Sequence, residues 1–166
     1  MVTGALQTGA RYGELIALRC RDFAHGKVHI RTSKSGRPRD IVLTEEGHAF
    51  FSALTAGRDP NAPLFPRADG EAWRDAMQAR PMLEACLHAQ INPPVGFHQL
   101  RHTWASLAVM NGVPLMIVAA NLGHASTMMV EKHYGHLSPS FVEEHIKKGA
   151  PRFGVEKATN VTRLHI

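Results

Sequence analysis

The chain has 166 residues, of which 19 are Lys or Arg and 14 are Asp or Glu, so that its formal net charge is +5. With 44% apolar residues, a single domain of this length can bury a hydrophobic core, which excludes a disordered chain or a disulfide-stapled miniprotein. The two cysteines favour a reducing, cytoplasmic compartment, and no apolar run reaches the roughly 18 residues of a membrane-spanning helix. The positive net charge is consistent with a polyanionic partner.

The segment ALQTGARYGELIALR, close to the start of the chain, predicts an interrupted helix. Gly9 and Gly13 flank Arg11 and mark a break in the apolar spacing, so we expect this arginine on irregular backbone. Only ten residues precede Arg11, which leaves little room for structure ahead of it. We therefore expect the 166 residues to be part of a larger protein.

Between Lys27 and Leu43 the apolar spacing changes to the alternation that is typical of strands. The segment KVHIRT alternates apolar with polar residues, and RDIVL supplies a second β-branched run. A short polar loop that contains Lys34 separates the two runs. These residues predict a β-hairpin that carries Lys34 in its loop.

Three segments follow the hairpin in the middle of the chain. Thr44 is predicted to cap a helix that continues through HAFFSAL. Residues 57–70 are rich in turn-forming residues and predict a connection without regular structure. A helix from about Ala72 to Gln90 is expected next, and we expect Pro81 to break it.

The last third of the chain has the most regular helical spacing. Residues 97–108 predict one helix, and residues 115–122 predict a second, which ends at Gly123. Two further short helices are expected after it. Together the elements predict a mainly α fold with a small antiparallel β-hairpin or sheet (α+β), in which residues 1–150 form one domain and residues 151–166 form a tail.

Four residues in this last third are candidates for chemistry. His98 and Arg101 lie three residues apart, which places them on one helix face beside an apolar stripe, and the pair suits an anionic oxygen because arginine does not bind metals. His124 follows a predicted helix end, and Tyr134 lies between histidines. Taken singly, each of these residues could equally well be an ordinary surface or core residue without a role in chemistry. An alternative metal site, which lacks the spacing of known zinc motifs, would use His124, His133 and His136.

Taken together, four segments resemble the successive signature segments of the tyrosine recombinases, the phage-integrase family of site-specific DNA recombinases. In chain order these segments are TGARYGELIALRCRDF, TSKSGRPRDIVL, HQLRHTWASLAVMNG and LGHASTMMVEKHYGHL. The resemblance spans about residues 3–140. It implies the DNA breaking-and-rejoining fold of that family's catalytic domain, without the N-terminal DNA-clamping domain that such recombinases usually carry.

The resemblance implies that four of the residues surround a DNA phosphate and that a fifth supports one of them. Arg11 and Arg101 are similar to the two arginines that hold the non-bridging oxygens, for which planar guanidinium groups are suited. His98 is similar to the histidine of the HxxR pair, a base or phosphate ligand, and His124 to a second histidine that donates to the phosphate. Glu14 looks like the acidic residue that supports the first arginine.

Two further residues are implied to act on the scissile bond itself. Tyr134 is similar to the nucleophile that forms a 3′-phosphotyrosyl link, so that rejoining needs neither a metal nor a nucleotide cofactor. Lys34 is similar to the hairpin lysine that protonates the leaving 5′-oxygen. Other basic residues around the hairpin are expected to contact DNA phosphates, although a solvated surface explains them about equally well. They are Lys27, His29, Arg31, Arg37 and Arg39.

The resemblance also implies partners. It implies double-stranded DNA, no membrane, and a bacterial or phage-encoded protein that acts in the cytoplasm. The family assembles as a tetramer on DNA, and in isolation we expect a monomer. A segment such as residues 141–148 would pass to a neighbouring copy.

Three other interpretations stay open from the sequence. The stretch NGVPLMIVAANLGHASTMMVEKHYG also reads as a helix-turn-helix, which is typical of DNA-binding regulators without an active site. An inactive recombinase remnant would keep the same residues without strand transfer. A type IB topoisomerase shares the chemistry, although the segments HQLRHT and LGH are more similar to those of integrases.

Overall fold

The computed structural model describes residues 1–31, 38–137 and 142–151. Its α-helices are α1 (Val2–Thr8), α2 (Tyr12–Ala17), α3 (Glu45–Thr55), α4 (Ala79–His88), α5 (Phe97–Met110), α6 (Leu115–Leu122), α7 (Met128–Tyr134) and α8 (Val142–Gly149). Short 3₁₀ helices cover Cys20–Asp22 and Gly135–Leu137. Its strands are β1 (Phe23–Ala24), β2 (Lys27–Ile30) and β3 (Arg39–Val42). The predicted α+β class, mainly helical with a small antiparallel sheet, is confirmed. None of the described helices is long and apolar enough to cross a membrane.

The predicted hairpin is present and belongs to a three-stranded antiparallel sheet in the order β1-β2-β3. Val28 pairs with Ile41, and both side chains are fully buried. Along β2, the exposed residues Lys27 and His29 alternate with the buried residues Val28 and Ile30. This alternation places one face of the sheet in the core. The loop residues Lys34 and Arg37 lie outside the described residues, as does the predicted tail beyond residue 151.

Helix α3 begins as predicted, and helix α4 does not. The Thr44 hydroxyl accepts a hydrogen bond of 3.1 Å from the backbone N–H of Gly47, which caps α3. Helix α4 begins only at Ala79, so the expected start at Ala72 was wrong. Pro81 lies in the first turn of α4 instead of breaking a longer helix, because N–H groups there have no partner within the helix.

Two clusters of buried apolar side chains form the core. The first joins α1, α2 and the sheet to α3 and the start of α5, and it includes Leu15, Ile41 and Phe51. The second joins the rest of α5 to α6 and α7, and it includes Val109 and Val118. Because α5 contributes side chains to both clusters, it connects the two parts of the molecule.

Two glycines in left-handed backbone turn the chain at the ends of α1 and α6. Gly9 has a φ of 65° and lies against Trp104, so that a Cβ there would be 2.8 Å from the indole ring. Gly123 ends α6 with a φ of 68°, as predicted, and a Cβ there would be 2.8 Å from a guanidinium nitrogen of Arg39. These tight turns bring the ends of both helices close to α5.

Candidate active site

A buried guanidinium lies at the centre of the site. The side chain of Arg101 donates hydrogen bonds to the backbone oxygens of Gly9 at 2.8 Å and Leu122 at 2.6 Å, which are at the ends of α1 and α6. Burial and the charge of Arg11 lower the pKa of Arg101 to about 10, which keeps it charged at neutral pH. Arg101 therefore holds three helices together around a fixed positive charge.

The sequence analysis expected Arg101 beside the buried stripe of α5. In the structure Arg101 lies within that stripe. The buried residues of this helix include Phe97, Leu100, Arg101, Ala105 and Val109, which recur at helical spacing. Arg101 is 4% exposed, whereas His98, three residues earlier, is exposed. The carbonyl groups at the two helix ends compensate for the burial of this cation.

Arg11 immediately precedes α2, and Glu14 in the first turn of that helix positions it. The backbone N–H of Arg11 donates to one Glu14 oxygen at 2.9 Å, and its guanidinium donates to the other at 3.1 Å. Burial raises the pKa of the Glu14 carboxyl, but hydrogen bonds and charges from Arg39 and Arg11 outweigh it and hold the pKa below its usual value. Glu14 is therefore ionised and orients the Arg11 guanidinium.

Arg39, which the sequence analysis expected to contact DNA phosphates, is enclosed by contacts within the fold. Two of its guanidinium nitrogens donate to the Glu14 carboxylate at 3.0 and 2.8 Å. Its Nε donates to the backbone carbonyl oxygen of Asn121 at 2.7 Å. Its side chain is only 9% exposed. Arg39 connects β3 to α2 and to the end of α6. Alternation along the strand gave no sign of this, because both partners are remote in sequence.

Arg11, His98 and Arg101 line one open cleft of about 320 Å³. Burial, together with the nearby His102 and Arg101, lowers the pKa of His98, so its imidazole is neutral at neutral pH. Two guanidinium groups and one imidazole therefore face the same volume. Such a cleft favours a singly or doubly charged oxyanion, since guanidinium donors match its geometry.

His124 follows Gly123 and contacts the Arg101 guanidinium. Its Nε2 lies 3.0 Å from a terminal nitrogen of Arg101, and its buried Nδ1 has no hydrogen-bond partner among the described residues. Burial and the charge of Arg101 lower the pKa of His124. A neutral imidazole in this place accepts from Arg101 through Nε2, which leaves the proton on Nδ1.

Tyr134 ends α7 and is only 6% exposed. Burial raises the pKa of its phenol, and the opposing charge of Arg101 reduces that shift without cancelling it. Its hydroxyl is hydrogen bonded to Nδ1 of His102. The phenol is therefore protonated at neutral pH and has to lose its proton before it can act as a nucleophile.

His102 is a residue that the sequence analysis did not single out. It comes directly after Arg101 and one helical turn after His98, and its ring packs edge-on against His98 with centroids 4.9 Å apart. The i, i+4 spacing to His98 was visible in HQLRH. The contact with Tyr134 was not, because 32 residues separate the two.

The other basic residues of the hairpin that the structure describes do not line this cleft. Lys27 is exposed on β2. His29 pairs with Asp40 on the neighbouring strand at 2.6 Å, and the Nε of Arg31 donates to Asp22 at 2.7 Å. Within the described part of the chain, no group of three or more His, Cys, Asp or Glu side chains could hold a metal ion.

Comparisons with known proteins show which family the chain belongs to. The family described as Phage integrase family matches residues 1–140. The chain is 34% identical over 129 residues to the shufflon-specific DNA recombinase of Escherichia coli, covering 75% of this chain and 31% of that protein. It is 30% identical over 122 residues to the integrase of Escherichia phage P2, covering 72% of this chain and 32% of that protein.

Among solved structures, the chain is similar to the catalytic domain of bacteriophage HP1 integrase, with a TM-score of 0.68 and 29% identity. The similarity covers 89% of this chain and 79% of that domain. The chain thus spans about a third of the length of the curated relatives that it matches and most of a solved catalytic domain. The resemblance stated from the four signature segments is confirmed: this chain belongs to the phage integrase family.

Proposed function

We propose that this chain is the catalytic domain of a site-specific DNA recombinase, which cleaves and rejoins DNA strands through a 3′-phosphotyrosyl link to Tyr134. One observation carries the proposal. Arg101 touches the ends of α1 and α6 and lies next to His124, so that segments far apart in sequence converge on one buried cation beside a tyrosine. Double-stranded DNA is the proposed substrate, and the chemistry requires no metal or nucleotide cofactor.

The cleft supplies what a phosphodiester requires during attack on phosphorus. Negative charge grows on the two non-bridging oxygens, and fixed donors stabilise it in the transition state. Arg11 and Arg101 face the cleft with charged guanidinium groups. Their orientation is set in advance by Glu14 and by the carbonyls of Gly9 and Leu122, so little reorganisation is needed when the phosphate binds.

The proposed reaction proceeds by exchange of one ester bond for another. The Tyr134 oxygen bonds to phosphorus, the bond from phosphorus to the 5′-oxygen breaks, and the leaving oxygen takes a proton. Lys34 is the proposed donor of that proton and lies outside the described residues. Because the phosphotyrosyl ester conserves the energy of the broken bond, the reverse step rejoins the strand.

Assembly as a homotetramer on DNA, from monomers in isolation, is part of the proposal. Several large apolar side chains on the α6 and α7 side of the molecule are exposed, and Ile146 on α8 is 61% exposed. These side chains are Met116, Ile117, Met128 and Met129. A neighbouring copy that covered them would remove apolar surface from water. The proposed site of action is the bacterial cytoplasm, where DNA is accessible.

The test uses a pool of nicked suicide duplexes with randomised sequence around the nick. Cleavage near the nick releases a short fragment that diffuses away, so a covalent adduct accumulates. We expect the wild-type chain to give a protein–DNA adduct on a denaturing gel and Tyr134→Phe to give none, because the phenol oxygen is the proposed nucleophile. Tyr12→Phe, which changes a tyrosine on α2, is the matched control and should still form the adduct.

A regulator without an active site would give a different result. Both wild type and Tyr134→Phe would then retard DNA equally on native gels, with no adduct from any member of the pool. That result would contradict the proposed function and favour a DNA-binding domain or an inactive remnant. A relaxation assay on supercoiled plasmid tests the topoisomerase alternative, which predicts relaxation by the chain alone.

A further inference from the structure

The proposed nucleophile is buried, and its hydroxyl is hydrogen bonded to a side chain that can accept its proton. Tyr134 is 6% exposed, and the hydrogen bond of its hydroxyl within the described part of the chain is with Nδ1 of His102. His102 itself is exposed to solvent. The two rings are tilted against each other, with centroids 5.8 Å apart. His102 therefore connects an enclosed phenol to bulk water.

The charges around this pair favour transfer of the phenol proton to the imidazole. Burial, together with the nearby His133 and Arg101, lowers the pKa of His102, so the ring is neutral at pH 7.5 and has one nitrogen free to accept. The phenol keeps its proton there, since burial raises the pKa of Tyr134. The hydroxyl is thus the donor of the shared proton, and Nδ1 of His102 is the acceptor.

The other histidines of the site have different neighbours. His98 lines the cleft with Arg11, and Nε2 of His124 faces the Arg101 guanidinium. The ring of His133 is tilted by 56° against the Tyr134 ring, with centroids 6.2 Å apart. Of these histidines, His102 is the one whose nitrogen is hydrogen bonded to the reacting oxygen.

We propose that His102 is a catalytic residue, the general base that removes the Tyr134 proton as the phenol oxygen attacks phosphorus. This inference rests on the proposed function. As the bond between oxygen and phosphorus forms, the proton moves to Nδ1, and the electron pair of the breaking P–O bond goes to the 5′-oxygen, which takes a separate proton from its own acid. In rejoining, His102 returns the proton to Tyr134.

The first experiment separates a base from a hydrogen-bonding support. His102→Asn keeps a polar atom close to the position of Nδ1 but takes no proton at neutral pH, whereas His102→Ala removes both. We expect both variants to form the adduct at least about 100-fold more slowly than wild type, which is the usual contribution of general acid–base catalysis. His88→Asn, the same change at an exposed histidine of α4, is the control and should cleave like wild type.

The leaving group supplies a second readout. A 5′-bridging phosphorothiolate needs no proton on departure, so it should rescue Lys34→Ala and leave His102→Asn slow. The rate at which wild type cleaves this substrate should rise with pH through the pKa of His102, which lies below 6.5. This rising limb of the pH–rate profile should be absent in His102→Asn. The groups that face His102 are His98 and Arg101 on α5 and His133 and Tyr134 on α7. His98→Asn, which removes the neighbouring titrating group, should keep the limb.

The outcomes separate this inference from the proposed function. If wild type forms the adduct and His102→Asn forms it equally fast, His102 is not the base, while the recombinase proposal stands. If wild type forms no adduct, both fail. A measurement without DNA decides the direction of the hydrogen bond: nitrogen-15 NMR of the labelled chain, assigned with His102→Asn, should show an unprotonated, hydrogen-bonded Nδ1 that changes in Tyr134→Phe. A protonated Nδ1 would overturn the inference.

Discussion

Arg101 shows how a single residue serves both folding and chemistry. Its guanidinium donates hydrogen bonds to two backbone carbonyls at helix ends. The same positively charged side chain lines the cleft. A lysine has one compact ammonium group, which cannot donate to both carbonyls and to the paired oxygens of a phosphate at once. The requirement for arginine at this position is therefore geometric as well as electrostatic.

We expect Arg101→Lys to slow adduct formation by about 100- to 1,000-fold, as loss of an oriented donor at a transition state does. The variant should also be less stable by about 1–3 kcal/mol, because one buried carbonyl loses its partner. Adduct formation on the suicide pool and urea unfolding measure the two effects. Arg67→Lys, at a surface ion pair with Asp69, should match wild type in both. Cleavage within a few-fold of wild type would contradict the assigned role.

At the scale of an element, the turn after α6 positions His124. Gly123 adopts left-handed backbone and packs against the Arg39 guanidinium, which in turn holds the Asn121 carbonyl at the end of the helix. A side chain at this position meets two obstacles, the strained backbone and the guanidinium. The turn therefore depends on glycine for space as well as for its conformational freedom.

Gly57 offers a matched comparison, since its φ is 69° and a Cβ there would meet nothing within 4 Å. We expect Gly57→Ala to lose about 1 kcal/mol of stability from backbone strain alone and to cleave normally. Gly123→Ala should lose more and should slow cleavage by about 10- to 100-fold, because displacement of His124 disturbs the site. Urea unfolding and suicide-substrate kinetics test this. Equal effects of both substitutions would show that the contact with Arg39 is unimportant.

At the scale of the whole molecule, Glu14 and Arg39 brace the two core clusters against each other. Glu14 on α2 and Arg39 on β3 belong to the first part, and the Asn121 carbonyl on α6 belongs to the second. The carboxylate and the Arg39 guanidinium are both almost fully enclosed. Breaking such a buried pair leaves an uncompensated charge, which is costly.

We expect Glu14→Gln to lower the free energy of unfolding by about 3 kcal/mol at pH 7. In the folded protein the pKa of Glu14 is lowered, so its stabilisation is present above the unfolded value of 4.5 and is lost as the pH falls through the lower folded value. Urea unfolding at several pH values should therefore show the difference from wild type shrinking below pH 4.5. Glu84→Gln, in an exposed pair with Arg80, should leave the free energy of unfolding close to that of wild type at any pH. A pH-independent loss for Glu14→Gln would contradict this.

The sequence by itself was enough for the fold class, most helices, the hairpin and the family. Local signals carried these: apolar spacing, the Thr44 cap, the glycine after α6, and the order of the four signature segments. It misplaced the start of α4, because a proline is tolerated in the first turn of a helix as well as at a break.

Only the tertiary structure decided which candidates meet and what each one contacts. It placed Arg101 inside the buried stripe, paired Arg39 with Glu14, and brought His102 to the Tyr134 hydroxyl. The physical reason is the same in each case. Hydrogen bonds between residues far apart in the chain depend on how helices pack, and neither local propensity nor residue spacing specifies that packing.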